Sequence, residues 1–207
     1  ETMLDDIDLD RYDRTIAIGG GTILDTAKLL TLRRIRPVGD LFDKKFPAEK
    51  VRSLILVPTT CGTGSEVTNV SILEFVDRHT KFGLAVDALY ADHAVLIPEL
   101  IEKLPFSVFA TSSIDAFIHA IESYVSPKAT VFSEMYSKKA MEMILNGYMK
   151  IAGEGHAVLP SLTKDFLTAS CYGGIAFGNA GTGPVHAMSY PLSGTYHVPH
   201  GESNYVF

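Results

Sequence analysis

The sequence predicts two parts, an α/β domain over residues 1–97 and an all-helical domain over 98–207, both incomplete. Three observations carry that expectation. Two short aliphatic runs, 15–18 and 53–57, are each followed by a loop dense in glycine and hydroxyls. Beyond Pro98, apolar residues recur at helical spacing and no convincing strand follows. Sheet-forming segments succeeded by a run of helices mark two cores. The chain begins with Glu1 and ends inside an apolar run, Tyr205-Val206-Phe207, so both ends read as cut.

Residues 1–14 are acidic and polar and read as the end of a helix leading into the first strand, 15–18. Gly19-Gly20-Gly21-Thr22 follows, then a helical pattern over 23–32. Strand, glycine turn and helix offer backbone N–H groups and a positive helix end to a phosphate. Glycines let an anion approach with no Cβ in the way. The turn is not the GxGxxG fingerprint, and an ordinary glycine turn after a strand is the other reading. Residues 33–52 form a polar connection, and 53–57 read as a buried strand. The loop from Pro58 to Glu66 lies at that strand's C-terminal end, the edge where doubly wound sheets bind ligands; a plain hydroxyl-capped turn is the alternative. Cys61 has no cationic flank and reads as a small packing residue. Residues 69–76 and 79–86 are expected to form a hairpin around Asp77-Arg78 that carries Lys81, and 94–97 a short strand. Helices are expected over 98–104, 105–125, 133–149 and 162–176.

Asp115 and His119 stand four apart among Ile114, Phe117, Ile118 and Ile121, which recur at helical spacing. On a helix, positions i and i+4 lie one above the other, so carboxylate and imidazole point the same way. Two polar groups in apolar surroundings are costly to bury without a partner. A divalent cation is one such partner; a surface pair or a hydrogen-bonded core histidine are the others. His186, His197 and His200 then crowd into residues 181–202, among Pro184, Pro191 and Pro199. Pro184 opens a short helix carrying His186, expected to stop before Pro191, and His200 is expected on a Pro-His-Gly turn. One carboxylate plus imidazoles from a helix and a loop form a ligand set for a divalent metal.

A net charge of −6, with no basic cluster denser than Arg33-Arg34-Ile35-Arg36, argues against nucleic acid as the main partner. No apolar run is long enough to span a bilayer and no signal sequence is visible. Two cysteines, Cys61 and Cys171, give no disulfide framework and suit a reducing cytoplasm.

The motifs GGGT at 19–22, PTTCGTGSEVT at 58–68, LP at 104–105, SSIDAFIHAIESYVS at 112–126 and GPVHAMSYPLSGTYHVPHG at 183–201 run in collinear order. Through them nearly the whole chain resembles the iron-containing (group III) alcohol dehydrogenases. PTTCGTGSEVTNVS, MILNGYM, GIAFGNAG and YHVPHGE most resemble the NAD-dependent 4-hydroxybutyrate subgroup. The resemblance implies a Rossmann-like N-terminal domain, here without its first βαβ unit, and a truncated helical metal-binding domain. It implies Asp115, His119, His186 and His200 as metal ligands, for iron(II) or alternatively zinc. It implies that Gly19, Gly20, Gly21 and Thr22 hold the cofactor pyrophosphate, that Thr59, Thr60 and Ser65 line the nicotinamide end, and that Lys81 reaches a ribose. NAD is the expected cofactor, with NADP open because the ribose-reading segment is absent.

Two positions depart from the family pattern: Tyr190 stands where a second histidine is usual, and His197 where asparagine is frequent. They displace the usual proton path and leave His197 or Tyr190 to pass the alcohol proton toward solvent. The implied reaction is hydride transfer between nicotinamide and a short-chain primary alcohol or its aldehyde, with 4-hydroxybutyrate and succinate semialdehyde favoured. A lactaldehyde or propanediol type of substrate is the alternative. A non-redox enzyme like the dehydroquinate synthases ranks lower, because those carry glutamate where Asp115 stands. Expected partners are the small substrate and further copies of the chain in a homodimer or larger homo-oligomer, with neither membrane nor nucleic acid.

Overall fold

A computed structural model describes residues 7–76, 80–196, 198 and 200–207. Strand β1 (Arg14–Gly19) pairs in parallel, residue for residue, with β2 (Ser53–Pro58). Strands β3 (Val70–Phe75) and β4 (Thr80–Ala85) form an antiparallel hairpin whose expected turn, Asp77-Arg78, lies outside the described residues. Strand β5 is only His93–Ala94, parallel to β2, shorter than the 94–97 expected; the described residues thus hold a parallel sheet of order β1-β2-β5 and the separate β3-β4 hairpin. Helix α1 (Gly21–Leu30) crosses from β1 with Leu24, Ala27 and Lys28 on its buried face. It stops two residues short of the predicted end, because the Thr31 hydroxyl bonds back to Lys28 O and competes with a further turn. The polar connection holds one helical turn, α2 (Gly39–Phe42), which seats Leu41 against Leu32, Leu84 and Leu89.

The helical part begins later than residue 98. Pro98–Ile101 closes as a 3-10 turn, since Leu104 precedes Pro105 and that position disfavours α geometry. Helices α3 (Phe106–Tyr124), α4 (Val131–Glu154) and α5 (Leu159–Ala180) then pack on one another. Their core is Phe109, Ala116, Ile144, Ile151, Leu162, Phe166 and Leu167, joined by Cys61 from the loop after β2. Helix α4 outruns the expected 133–149 because Thr130 and Ser133 form a capping box at its start. Helix α5 gains its extra first turn around Pro160, where the missing N–H costs nothing.

Two expectations are corrected here. Helix α6 (Pro184–Tyr196) does not stop before Pro191 but runs through it. Proline there forgoes one intrahelical bond, while buried His186 and Ser189 keep the preceding turns seated against α3. His200 does not sit on a turn; it opens a short helix, α7 (His200–Tyr205), which packs on α3 and α6 and buries Ser203 and Asn204. Among the described residues no helix is long and apolar enough to cross a membrane.

Candidate functional site

Helix α3 carries Asp115, His119 and Glu122 at i, i+4 and i+7, one continuous buried stripe. Their exposures are 2, 5 and 4 %, and His186, brought across by α6, is 2 % exposed. One ligand atom from each of Asp115, His119 and His186 lies within 4.8 Å of the others. His186 Nε2 is 3.5 Å from Asp115 Oδ1, and His200 Nε2 approaches the same oxygen at 3.8 Å. The His119 ring stacks on His186 at 4.4 Å and on Phe177 at 4.3 Å, which walls the group with carbon. Three of the four sequence-predicted ligands therefore form one tight group, and His200 borders it through Asp115.

Burial and the pooled charges decide the protonation. Burial alone pushes the Asp115 carboxyl up, yet the imidazoles of His119, His200 and His186 outweigh it and hold Asp115 well below the usual carboxylate range. Burial depresses His119 to about 4 despite the attraction of Asp115. His200 is also lowered by burial, assisted by His186 and by the Lys81 charge. His186 is opposite: burial disfavours its cation, but Asp115 and Glu122 together raise it. At neutral pH His119 thus offers a lone pair, as a metal ligand must. Among the described residues His119 Nδ1 has no hydrogen-bond partner, although the Gly62 backbone lies close enough to favour the protonated ring. A buried carboxylate ringed by imidazoles, one with an unused nitrogen, fits a divalent iron or zinc ion.

The glycine turn lies on the other side of the same loop. Ile23 and Leu24 N–H both turn back to Gly20 O, so α1 begins at the turn. Thr59 N–H donates to Gly19 O at 3.0 Å, and a Cβ on Gly21 would stand 2.7 Å from Thr63 Cγ2. Gly19–Thr22 and the segment holding Thr59 and Thr60 thus form one continuous surface. Ser65 is not on it: it is buried and its hydroxyl donates to Asp25 Oδ1 at 2.6 Å, tying the loop to α1. Lys81, on β4, is half-buried and within electrostatic reach of His200. The loop also touches the metal-group helix, Gly62 packing on Ser112, while Gly64 packs on Gly174 of α5. His197 lies outside the described residues, as does the side chain of Tyr190, and with them the expected proton relay.

Comparison with known proteins accounts for both halves. Residues 1–98 match the family described as iron-containing alcohol dehydrogenase, and residues 109–207 match the C-terminal part of the Fe-containing alcohol dehydrogenase family. The chain belongs to the iron-containing alcohol dehydrogenase family. Within that family it is 56 % identical over 205 residues to the 4-hydroxybutyrate dehydrogenase of Clostridium kluyveri, covering 99 % of this chain and 55 % of that protein. It is 39 % identical to long-chain-alcohol dehydrogenase 1 of Geobacillus thermodenitrificans, over 95 % of this chain and 50 % of the relative. The iron-containing alcohol dehydrogenase of Thermotoga maritima superposes with a TM-score of 0.83 at 30 % identity, over 95 % of this chain and 55 % of that one. Sulfoacetaldehyde reductase from Bifidobacterium kashiwanohense, solved in complex with NAD+, gives a TM-score of 0.88 at 26 % identity, over 98 % and 54 %. The chain spans about half the length of the curated relatives it matches.

Two residues of this iron-containing alcohol dehydrogenase chain enter the site without any sequence expectation. Glu122 meets His186 Nδ1 at 2.6 Å through Oε2, and its Oε1 accepts Val185 N–H at 2.6 Å. Asn204, fully buried, donates from Nδ2 to Asp115 Oδ1 at 2.6 Å and lies 3.2 Å from His186 Nε2. Glu122 had a visible signal, since it falls one turn past His119 on the same stripe. Asn204 stands one turn past His200 on α7, 3.4 Å from its Nε2, while Asp115 and His186 reach it from other helices.

Proposed function

We propose that this chain forms the catalytic part of a metal-dependent, nicotinamide-linked alcohol dehydrogenase, with 4-hydroxybutyrate and succinate semialdehyde as its substrate pair. The observation that carries the reading is the buried group of Asp115, His119 and His186, with His200 beside it, one loop away from the glycine turn. In this reading residues 1–97 present the nucleotide surface and 98–207 the metal ligands. Identity of 56 % to a 4-hydroxybutyrate dehydrogenase supports the substrate. Two unpaired thiols and a nicotinamide partner support a cytoplasmic location.

Asp115 supplies the one full negative charge among the candidate ligands and stays ionised, so a divalent ion held by it and neutral imidazoles would keep a net positive charge on the ligand set. Held by Asp115, His119, His186 and His200, a divalent metal would supply Lewis acidity to the substrate oxygen, and a nicotinamide on the Gly19–Thr22 surface would supply the hydride acceptor or donor. The protein's own work is positioning. His119 is clamped between His186 and Phe177, and these stacked rings keep water from the group. Thr59 N–H ties the loop to Gly19 so that the nucleotide surface is set before ligand arrives.

The test is steady-state kinetics of the full-length protein, followed at the NADH absorbance. Iron(II) or zinc would be supplied, with 4-hydroxybutyrate compared against uncharged diols and NAD against NADP. A metal-requiring rate highest with 4-hydroxybutyrate is expected. Equal turnover of the diols would overturn the substrate, and no turnover with any alcohol would overturn the reaction.

A further inference from the structure

We propose that Glu122 is a positioning residue that holds His186 in the tautomer presenting Nε2 to the metal group, and thereby sets metal affinity. The inference rests on the metal reading above and extends it to a side chain outside the ligand set.

The two oxygens of Glu122 have separate tasks. Oε2 lies 2.6 Å from His186 Nδ1 and Oε1 accepts Val185 N–H at 2.6 Å. An ionised carboxylate only accepts, so Nδ1 carries the hydrogen and, in the neutral ring, the lone pair belongs to Nε2. The other face of the ring agrees. Asn204 Nδ2, a group that only donates, stands 3.2 Å from Nε2. Asp115 Oδ1 is 3.5 Å from the same nitrogen, so Nε2 is the ring atom turned into the group, and a hydrogen held there by the carboxylate is the one an incoming metal displaces.

Glu122 also anchors the element that carries the ring. Val185 is the second residue of α6, after a proline with no N–H, so the carboxylate satisfies a helix-end donor that has no intrahelical partner. Gly183 leaves it the space, since a Cβ there would come within 2.9 Å of Oε1. One side chain therefore sets both the rotation of the imidazole and the placement of its helix. A neutral glutamine breaks this arrangement. It has one acceptor for two donors, so either the Val185 bond is lost or His186 turns to the tautomer with hydrogen on Nε2. That hydrogen blocks coordination. Carboxylate partners of ligand histidines are worth about 10–100-fold in metal affinity.

The experiment uses the full-length protein in metal-free form, as wild type, Glu122→Gln, Glu122→Asp and Asp115→Asn. Zinc affinity is measured by chelator competition, and the His186 tautomer by its ring 15N shifts at a pH above the one where those shifts show the ring losing its proton. Glu122→Gln is expected to bind zinc about 10–100-fold more weakly and to show hydrogen on Nε2 in part of the population. Glu122→Asp keeps the charge and is expected to recover part of the loss. A Glu122→Gln protein with wild-type zinc affinity and unchanged 15N shifts, while Asp115→Asn loses zinc, overturns the positioning role and leaves the metal reading standing. A lower thermal midpoint without a change in affinity overturns it equally, since that is packing alone. A wild type that binds no divalent metal removes both. If Glu122→Gln does not fold, the Glu122→Asp affinity and tautomer decide.

Discussion

Glu66 sits behind the nucleotide loop with almost no access to water, and that makes stability depend on pH in a calculable way. It is 2 % exposed, and among the described residues its Oε1 has no hydrogen-bond partner. Burial lifts its pKa from 4.5 to about 7, and its own backbone N–H and the Lys28 charge offset only part of that. The folded protein therefore keeps a proton that the unfolded chain releases near the ordinary value. The stabilising contribution is fully present below about 4.5 and is lost as pH rises through about 7. Over that interval, at about 1.4 kcal/mol per pH unit, the loss is about 3 kcal/mol. Glu66→Gln has nearly the same shape and cannot ionise. Its stability relative to wild type is expected to be about 2–3 kcal/mol more favourable at about pH 8 than at about pH 5. Urea denaturation of both proteins at the two pH values, with equal slopes, measures this as a shift in midpoint. The same difference between the two proteins at both pH values would show that Glu66 is ionised throughout, and the reasoning would fail.

Three further outcomes are expected. Lys28 is fully buried, with Nζ bonded to Val70 O at 2.6 Å and Thr68 Oγ1 at 3.2 Å and paired with Asp25 at 3.5 Å. Lys28→Met removes the cation from Asp25, which keeps its bonds from the Ser65 hydroxyl and Ile72 N–H, and takes the donor from Val70 O, so it should cost about 1–3 kcal/mol in the same denaturation assay; no loss at all would mean the lysine is dispensable. Gly64 has φ +56° and packs backbone to backbone on Gly174. Gly64→Ala should therefore destabilise by about 2–5 kcal/mol, read as a fall in thermal midpoint; an unchanged midpoint would refute the close approach. Metal occupancy should fall with pH. His186 is raised, so an incoming metal must displace its proton, and occupancy is expected to drop as pH falls from above the ordinary histidine range toward it. His119, already lowered to about 4, adds nothing until far more acid conditions. Full occupancy at about pH 4, measured by metal analysis after gel filtration, would contradict the imidazole ligands.

Much of the architecture was legible because it is local. The β-branched run before Gly19 and the helical spacing from Phe106 onward depend on neighbours within a turn or two, and the observed elements follow them. The errors fell where long-range packing overrode a local rule. Proline at 191 should end a helix, and the Pro-His-Gly sequence at 199–201 should turn. Helix α6 nonetheless runs through Pro191 and α7 begins at His200, because each buries polar side chains against α3.

Asp115 and His119 needed only the 3.6-residue repeat to face the same way, and the chemical types of the candidate ligands could be read along the chain. That His186 crosses to within 4.8 Å of them, that Ser65 turns away to Asp25, and that Glu122 and Asn204 grip the two sides of the His186 ring came only from folding. Periodicity speaks for residues a few positions apart on one helix. Contacts between helices 60 or more residues apart, such as Glu122 with His186 at a separation of 64, are chosen by which buried polar atoms find partners when the cores close.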